Sequence, residues 1–181
     1  MAKQVAAQWY DILTPEYFGG KIMGQTTANE PEKLVGRVVE MSLSELTGEA
    51  SRYYVKIFLK ANRVEGTKIL TSYFGHDCTR DFIARVVQLR TDRIDTNNII
   101  ELKDAKIRLK TLAITNRCVR KGTEKDLRKA ISEAIKKELE NSTLEEFIRG
   151  MITGSSQKKI RKIVSKIYPL RQFEFRNSKV L

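Results

Sequence analysis

The densest group of potentially reactive side chains in the chain is Gly75-His76-Asp77-Cys78-Thr79-Arg80-Asp81, where imidazole, thiol and two carboxylates fall within seven residues. A nucleophile needs a base held within hydrogen-bond reach, and a metal site needs three or four ligands converging on one point. Adjacency along the chain supplies neither. A strand end leading into a capped helix accounts for the same residues, so neither catalysis nor metal binding is expected there. The sequence also has no GxxxxGKS/T loop, no GxGxxG after a strand and no HExxH. ATP-driven and zinc-peptidase chemistry therefore have no support, and no enzymatic activity, cofactor or metal is expected.

The side chains whose number and spacing do point to a task are basic. From residue 154 to the end stand Lys158, Lys159, Arg161, Lys162, Lys166, Arg171, Arg176 and Lys179 against a single acid, Glu174. A protein that replaces the counterions condensed around phosphates gains binding free energy with each Lys or Arg so placed, and becomes salt-sensitive in return. The plain alternative is a solvated helix face, but this excess is larger than solubility asks of one short segment, which favours RNA. Arg80, Arg85, Arg90 and Arg93, and then Arg117, Arg120 and Lys121, form smaller groups. Each of these fits either a phosphate, the arginines through the planar guanidinium fork, or an intramolecular partner such as Asp92, Asp95 or Glu124. Trp9 and Tyr10 suit stacking on unpaired bases, or an anchor that buries an N-terminal arm.

Composition agrees with a polyanionic partner. The 181 residues include 34 Lys+Arg and 22 Asp+Glu, a formal charge of +12, with a pI near 9.8. Residues 1–90 hold 12 basic and 10 acidic side chains and residues 91–181 hold 22 and 12, so the second half should meet the partner. With 41% hydrophobic residues the chain can build a core. Two cysteines, Cys78 and Cys118, and one histidine cannot make a disulfide framework or an unaided zinc site, which suits a reducing compartment. Met1 to Tyr10 has no long apolar stretch and no run of about 18 apolar residues occurs, so a soluble, cytoplasmic protein without signal peptide or membrane partner is expected.

Several elements must position these residues. Residues 1–33 read as an irregular arm packed on the core, broken by Pro15, Gly19-Gly20 and Gly24. A β-rich core is expected over 34–122. Its first strand sets Val35, Arg37, Val39, Met41 and Leu43 on one side and ends at Thr47-Gly48. One hairpin turns at Glu65-Gly66, and a second turns at Asp104-Ala105. In the latter, Ile107, Leu109, Thr111 and Ala113 oppose Lys106, Arg108 and Lys110, so one face is core and the other basic. Between the hairpins a short inserted helix buries Phe82, Ile83, Val86 and Val87 and leaves Arg80, Arg85 and Arg90 outside. Residues 123–181 read as helices with a basic tail. Thr123 caps the first, Thr143 and Glu146 form a capping box on the second, and the third packs Ile160, Ile163, Val164 and Ile167 and stops before Pro169. Strands followed by helices predict one α+β domain: an antiparallel β-barrel-like core with flanking helices and a helical, basic C-terminal region.

Taken together, certain stretches resemble the archaeal and eukaryotic small-subunit ribosomal proteins of the S-three-A-e family, the eukaryotic-type S-one group. They are Trp9-Tyr10 through Pro15 and Phe18, Leu46-Thr47-Gly48, Phe74-Gly75-His76 with Thr79-Arg80-Asp81-Phe82, Arg93-Ile94-Asp95, Lys166-Ile167-Tyr168-Pro169-Leu170-Arg171, and Lys179-Val180-Leu181. Length and the absence of an extension resemble the archaeal branch. The resemblance implies a non-enzymatic constituent of the small ribosomal subunit, on the platform near the messenger RNA exit. Its implied partners are small-subunit ribosomal RNA, neighbouring ribosomal proteins and messenger RNA near the exit. The competing expectation is a free-standing single-stranded RNA or messenger-binding module, with Trp9, Tyr10, Tyr53, Tyr54 and Phe58 stacking bases on an exposed sheet.

Overall fold

A computed structural model describes residues 7–181; residues 1–6, the start of the expected arm, lie outside the described residues. The chain forms two compact units, Met1–Gly75 and His76–Leu181.

In the first unit, β1 (Gln8–Leu13) and β2 (Ile22–Ala28) pair antiparallel from Gln8↔Ala28 to Leu13↔Ile22. The segment expected to be irregular is thus a hairpin. Alternating Tyr10 and Ile12 are buried, Pro15 and Gly19-Gly20 sit in its turn, where Gly19 adopts φ +94°, and Gly24 lies within β2 opposite Ile12. β3 (Val38–Ser42) pairs antiparallel with β4 (Val55–Glu65), from Val38↔Lys60 to Ser42↔Lys56. Between them the helix α1 (Leu43–Thr47) ends at Gly48, φ +76°. The expected first strand is therefore shorter: Val35 and Val38 are exposed, and Leu43 and Leu46 enter the core from a helical turn. β4 turns at Gly66 into β5 (Lys68–Cys78), and β1 runs parallel to the start of β5, from Asp11↔Lys68 to Leu13↔Leu70.

Residues 76–78 of β5 belong to the second unit. They are followed by α2 (Arg80–Val86), β6 (Arg93–Glu101), β7 (Lys106–Thr115), α3 (Lys121–Leu139), α4 (Leu144–Thr153), α5 (Ser155–Val164) and β8 (Leu170–Val180). Here β8 lies between β5 and β7, and β6 pairs with β7 from Arg93↔Ile114 to Glu101↔Lys106. One face carries Ile94, Ile100, Ile107, Leu109, Phe173 and Phe175, all buried. Against it pack α3, through Leu127, Ile131 and Ile135, and α4, whose Phe147 ring meets Phe175 at 5.9 Å. A bulge in β8 opposite Lys110/Thr111 inserts one residue, which lets Ser178 and Phe175 face the same core despite their odd spacing.

The barrel-like, wholly antiparallel core is corrected by this topology. β1–β5 is parallel, and among the described residues β2, β3 and β6 each have a single strand neighbour, so the sheet is open. Closure would require β6 to gain a second strand; α3 packs against β6 instead. The C-terminal region is helical only as far as Val164, and its tail, where Phe173 and Phe175 stand at strand spacing, forms the 11-residue strand β8. No helix among the described residues is long and apolar enough to cross a membrane.

Candidate nucleic-acid interface

His76 and Cys78 lie two residues apart on β5 and both reach the Phe175 carbonyl of β8, at 2.9 Å from Nε2 and 3.4 Å from Sγ. A carbonyl only accepts, so Nε2 carries the proton. Nδ1 then accepts from the Ser178 hydroxyl at 2.6 Å. Burial holds the imidazole neutral, its pKa lowered to about 4, and pushes the Cys78 thiol up to about 12. Both ring nitrogens are occupied and the thiol is far from its reactive thiolate form, so the pair ties β5 to β8 rather than performing chemistry. Among the described residues no three His, Cys, Asp or Glu side chains gather around a common point.

The excess of basic over acidic residues falls almost entirely in one unit. Residues 1–75 hold 9 Lys+Arg and 8 Asp+Glu, whereas residues 76–181 hold 25 and 14. Within that unit three loops meet at one end of the sheet. The Asp92 carboxylate accepts from the Val119 amide at 2.6 Å, the Asn116 amide donates to the Pro169 carbonyl at 3.3 Å, and Arg171 donates to the Gln88 side chain at 2.5 Å. These bonds gather Arg90, Arg117, Arg120, Lys121, Lys166 and Arg171 on neighbouring loops and helix starts, all of them exposed. Arg90 lies beyond α2, not on it, and adopts φ +64°. That conformation is costly for a residue with a Cβ. The helix is shorter than expected because Val87 is extended, and Val86 and Val87 are only half-buried.

α5 presents Lys158, Lys159 and Lys162. Two of its residues, Lys158 and Lys162, are four apart, a spacing at which like charges repel. Its first turn contains no acid to complement the helix dipole. Lys159 meets Glu138 at 2.7 Å, but among the described residues Lys158, Lys162 and Lys166 have no acidic partner. Arg161 points elsewhere: its Nε and Nη2 donate to the Leu170 carbonyl at 3.2 and 2.9 Å, pinning α5 to β8. The inward stripe of α5 is Gln157, Ile160 and Val164, so Ile163 and Ile167, expected inside, are 48% and 51% exposed. The buried stripe is turned toward the Gln157 side of the helix, which leaves Ile163 on the outer side, and the helix ends before Ile167.

The remaining candidates separate. Arg93 and Arg176 share the Asp95 carboxylate, at 2.6 and 3.7 Å, and so take the intramolecular option. Arg80 and Arg85 are exposed on α2, and Lys179 stands at the far end of β8. Thr123 does not cap α3, which begins at Lys121 after Arg120. Of the aromatic set, Trp9 and Tyr53 are 64% and 53% exposed, but Tyr10 is buried, so the five do not form one stacking platform. Arg108 and Lys110, which sequence reading placed on a basic strand face without giving them a role, stand in register beside Lys179. Their alternation was visible; the cross-strand neighbour that brings Lys179 alongside was not.

Comparison with known proteins places this geometry in context. The model of the Ribosomal S3Ae family matches residues 3–181. The chain is similar to "Small ribosomal subunit protein eS1" of Methanothermobacter thermautotrophicus, 35% identical over 175 residues, covering 96% of this chain and 90% of that protein. The proteins of the same name from Methanococcus vannielii (34% over 174 residues, 96% and 79% covered) and Methanobrevibacter smithii (33% over 174 residues, 96% and 90% covered) are similar to it in the same way.

Proposed function

The chain belongs to the Ribosomal S3Ae family, and on that footing we propose that it is a structural constituent of the small ribosomal subunit in the cytoplasm. In this reading it binds small-subunit ribosomal RNA on the platform near the messenger RNA exit and packs against neighbouring ribosomal proteins, with messenger RNA passing nearby. The names of its relatives support the ribosomal role.

The RNA contact is carried by one observation above the rest: Lys158, Lys162 and Lys166 are exposed, and among the described residues without acidic partners, on and just beyond α5, next to the loop end that holds Arg90, Arg117, Arg120, Lys121 and Arg171. A cluster that raises the energy of the free protein is relieved when phosphates supply the missing negative charge. Recognition of this kind reads the shape and backbone of folded RNA rather than its base sequence. Arg80, Arg85, Lys159 and Lys179 support it, whereas Arg161, Arg93 and Arg176 contribute mainly by holding the fold.

The test is the salt dependence of binding to a small-subunit ribosomal RNA transcript. Converting Lys158, Lys162 and Lys166 together to Gln should flatten the slope of log affinity against log salt by roughly 2 to 3, the value for three lost phosphate contacts. An unchanged slope would remove these side chains from the interface.

A further inference from the structure

The outer face of the β6–β7–β8 sheet, opposite the helices, carries a second concentration of positive charge. Its register sets Arg108 between Ile99 and Lys179, and Lys110 between Asn97 and Asn177. Arg108, Lys110, Lys179, Asn97 and Ile99 are exposed, Ile99 at 49%. Residues directly opposite on antiparallel strands hold their Cβ atoms roughly 5 Å apart, and like charges so placed repel. Lys106, one step along the strand, is bonded to Glu101 at 2.6 Å; among the described residues Arg108 and Lys110 have no hydrogen-bonding or acidic partner. Among the described residues the fold thus holds two uncompensated cations, Arg108 and Lys110, on one strand, with Lys179 in register opposite the first.

We propose that this face is a second RNA-binding surface, on which Arg108 and Lys110 neutralise neighbouring phosphates of one RNA strand. Alternate residues of a β-strand stand about 7 Å apart on one face, comparable with the spacing of successive phosphates. Asn97 and Asn177, flanking Lys110, both donate and accept hydrogen bonds. They therefore match ribose hydroxyls as well as phosphate oxygens, which an acidic peptide does not require. Ile99 gives an apolar patch beside the Arg108 guanidinium where a base or ribose can rest. The inference rests on the reading of the chain as an RNA-bound ribosomal component. It adds a surface separated from the loop end by five to seven residues of β7, roughly 20 Å along the strand. Two such surfaces allow one protein to hold two RNA segments.

The test uses the full chain and four proteins: wild type, Arg108→Gln with Lys110→Gln, the Lys158, Lys162 and Lys166 triple Gln variant, and their combination. Each is titrated with a small-subunit ribosomal RNA transcript over a range of salt, and each free protein is melted. The double variant should flatten the salt slope by about 1.5, as for two phosphate contacts, on top of whatever the triple variant removes. Its melting temperature should be equal to or above that of the wild type. A slope unchanged by the double variant in both backgrounds overturns the second surface while leaving the α5 contact standing. A slope changed by the double but not by the triple variant sustains the second surface and removes the α5 cluster. Each protein is also titrated with polyglutamate, and loss of that binding in the double variant with an unchanged RNA slope overturns the second surface in favour of an acidic protein partner.

Discussion

At the residue scale the most consequential side chain is His76, for a structural reason. Its two ring nitrogens satisfy Phe175 and Ser178 on β8, and burial keeps it neutral with a pKa near 4 against 6.5 in the unfolded chain. Between those values the unfolded state binds the extra proton. This stabilisation is therefore complete above about pH 6.5, declines as the pH falls, and is gone below about pH 4. The shift corresponds to about 3 kcal/mol. Denaturant titrations between pH 7 and pH 4 should show the wild type losing stability more steeply than His76→Gln; parallel curves would mean that the imidazole charges without cost. The same residue shows what sequence can and cannot reveal. That Gly75–Asp81 is a strand end entering a helix was readable from its neighbours. The partners of the imidazole lie about a hundred residues away on β8, and no local spacing encodes them.

At the element scale local signals were reliable where the physics is local. Thr143 and Glu146 bond reciprocally: the Glu146 carboxylate accepts from the Thr143 amide at 2.9 Å, and the Thr143 hydroxyl accepts from the Glu146 amide at 3.3 Å. Thr143→Ala should lower stability by about 1 kcal/mol through fraying of α4, measured by chemical denaturation. An effect of a few tenths would mean that tertiary packing alone fixes the start of the helix. The apolar stripe of α3 and the alternation of β7 were equally legible, because a period of 3.6 or 2 marks the buried face directly. What failed was set by contacts between distant segments. Residues 8–28 look broken by Pro and Gly, yet they form a hairpin because β1 finds β5. The bulge in β8 lets Phe175 and Ser178 share a core that strict alternation would deny them. The open order of the strands, with β6 paired only to β7 among the described residues, likewise follows from pairings between segments far apart in sequence.

At the scale of the whole molecule, charge is segregated. The first unit is nearly balanced, and the second carries 25 basic against 14 acidic side chains. The excess in the second half of the chain was visible from counting alone. Its division among a loop end, the face of α5 and the outer face of the sheet was not, because only the tertiary hydrogen bonds of Asp92, Asn116 and Arg171 draw those loops together. Some cations were diverted to the fold itself: Arg161 to the Leu170 carbonyl, Arg93 and Arg176 to Asp95. The surplus that remains has no acidic counterpart among the described residues, and on the proposed function the phosphates of a large structured RNA supply it. The most direct measurement of that claim is the abundance of this chain across a sedimentation gradient of cell lysate, before and after a high-salt wash. A resident constituent follows the small-subunit peak and survives the wash. A chain found mainly at the top of the gradient, or stripped from the particle by salt, would contradict the account.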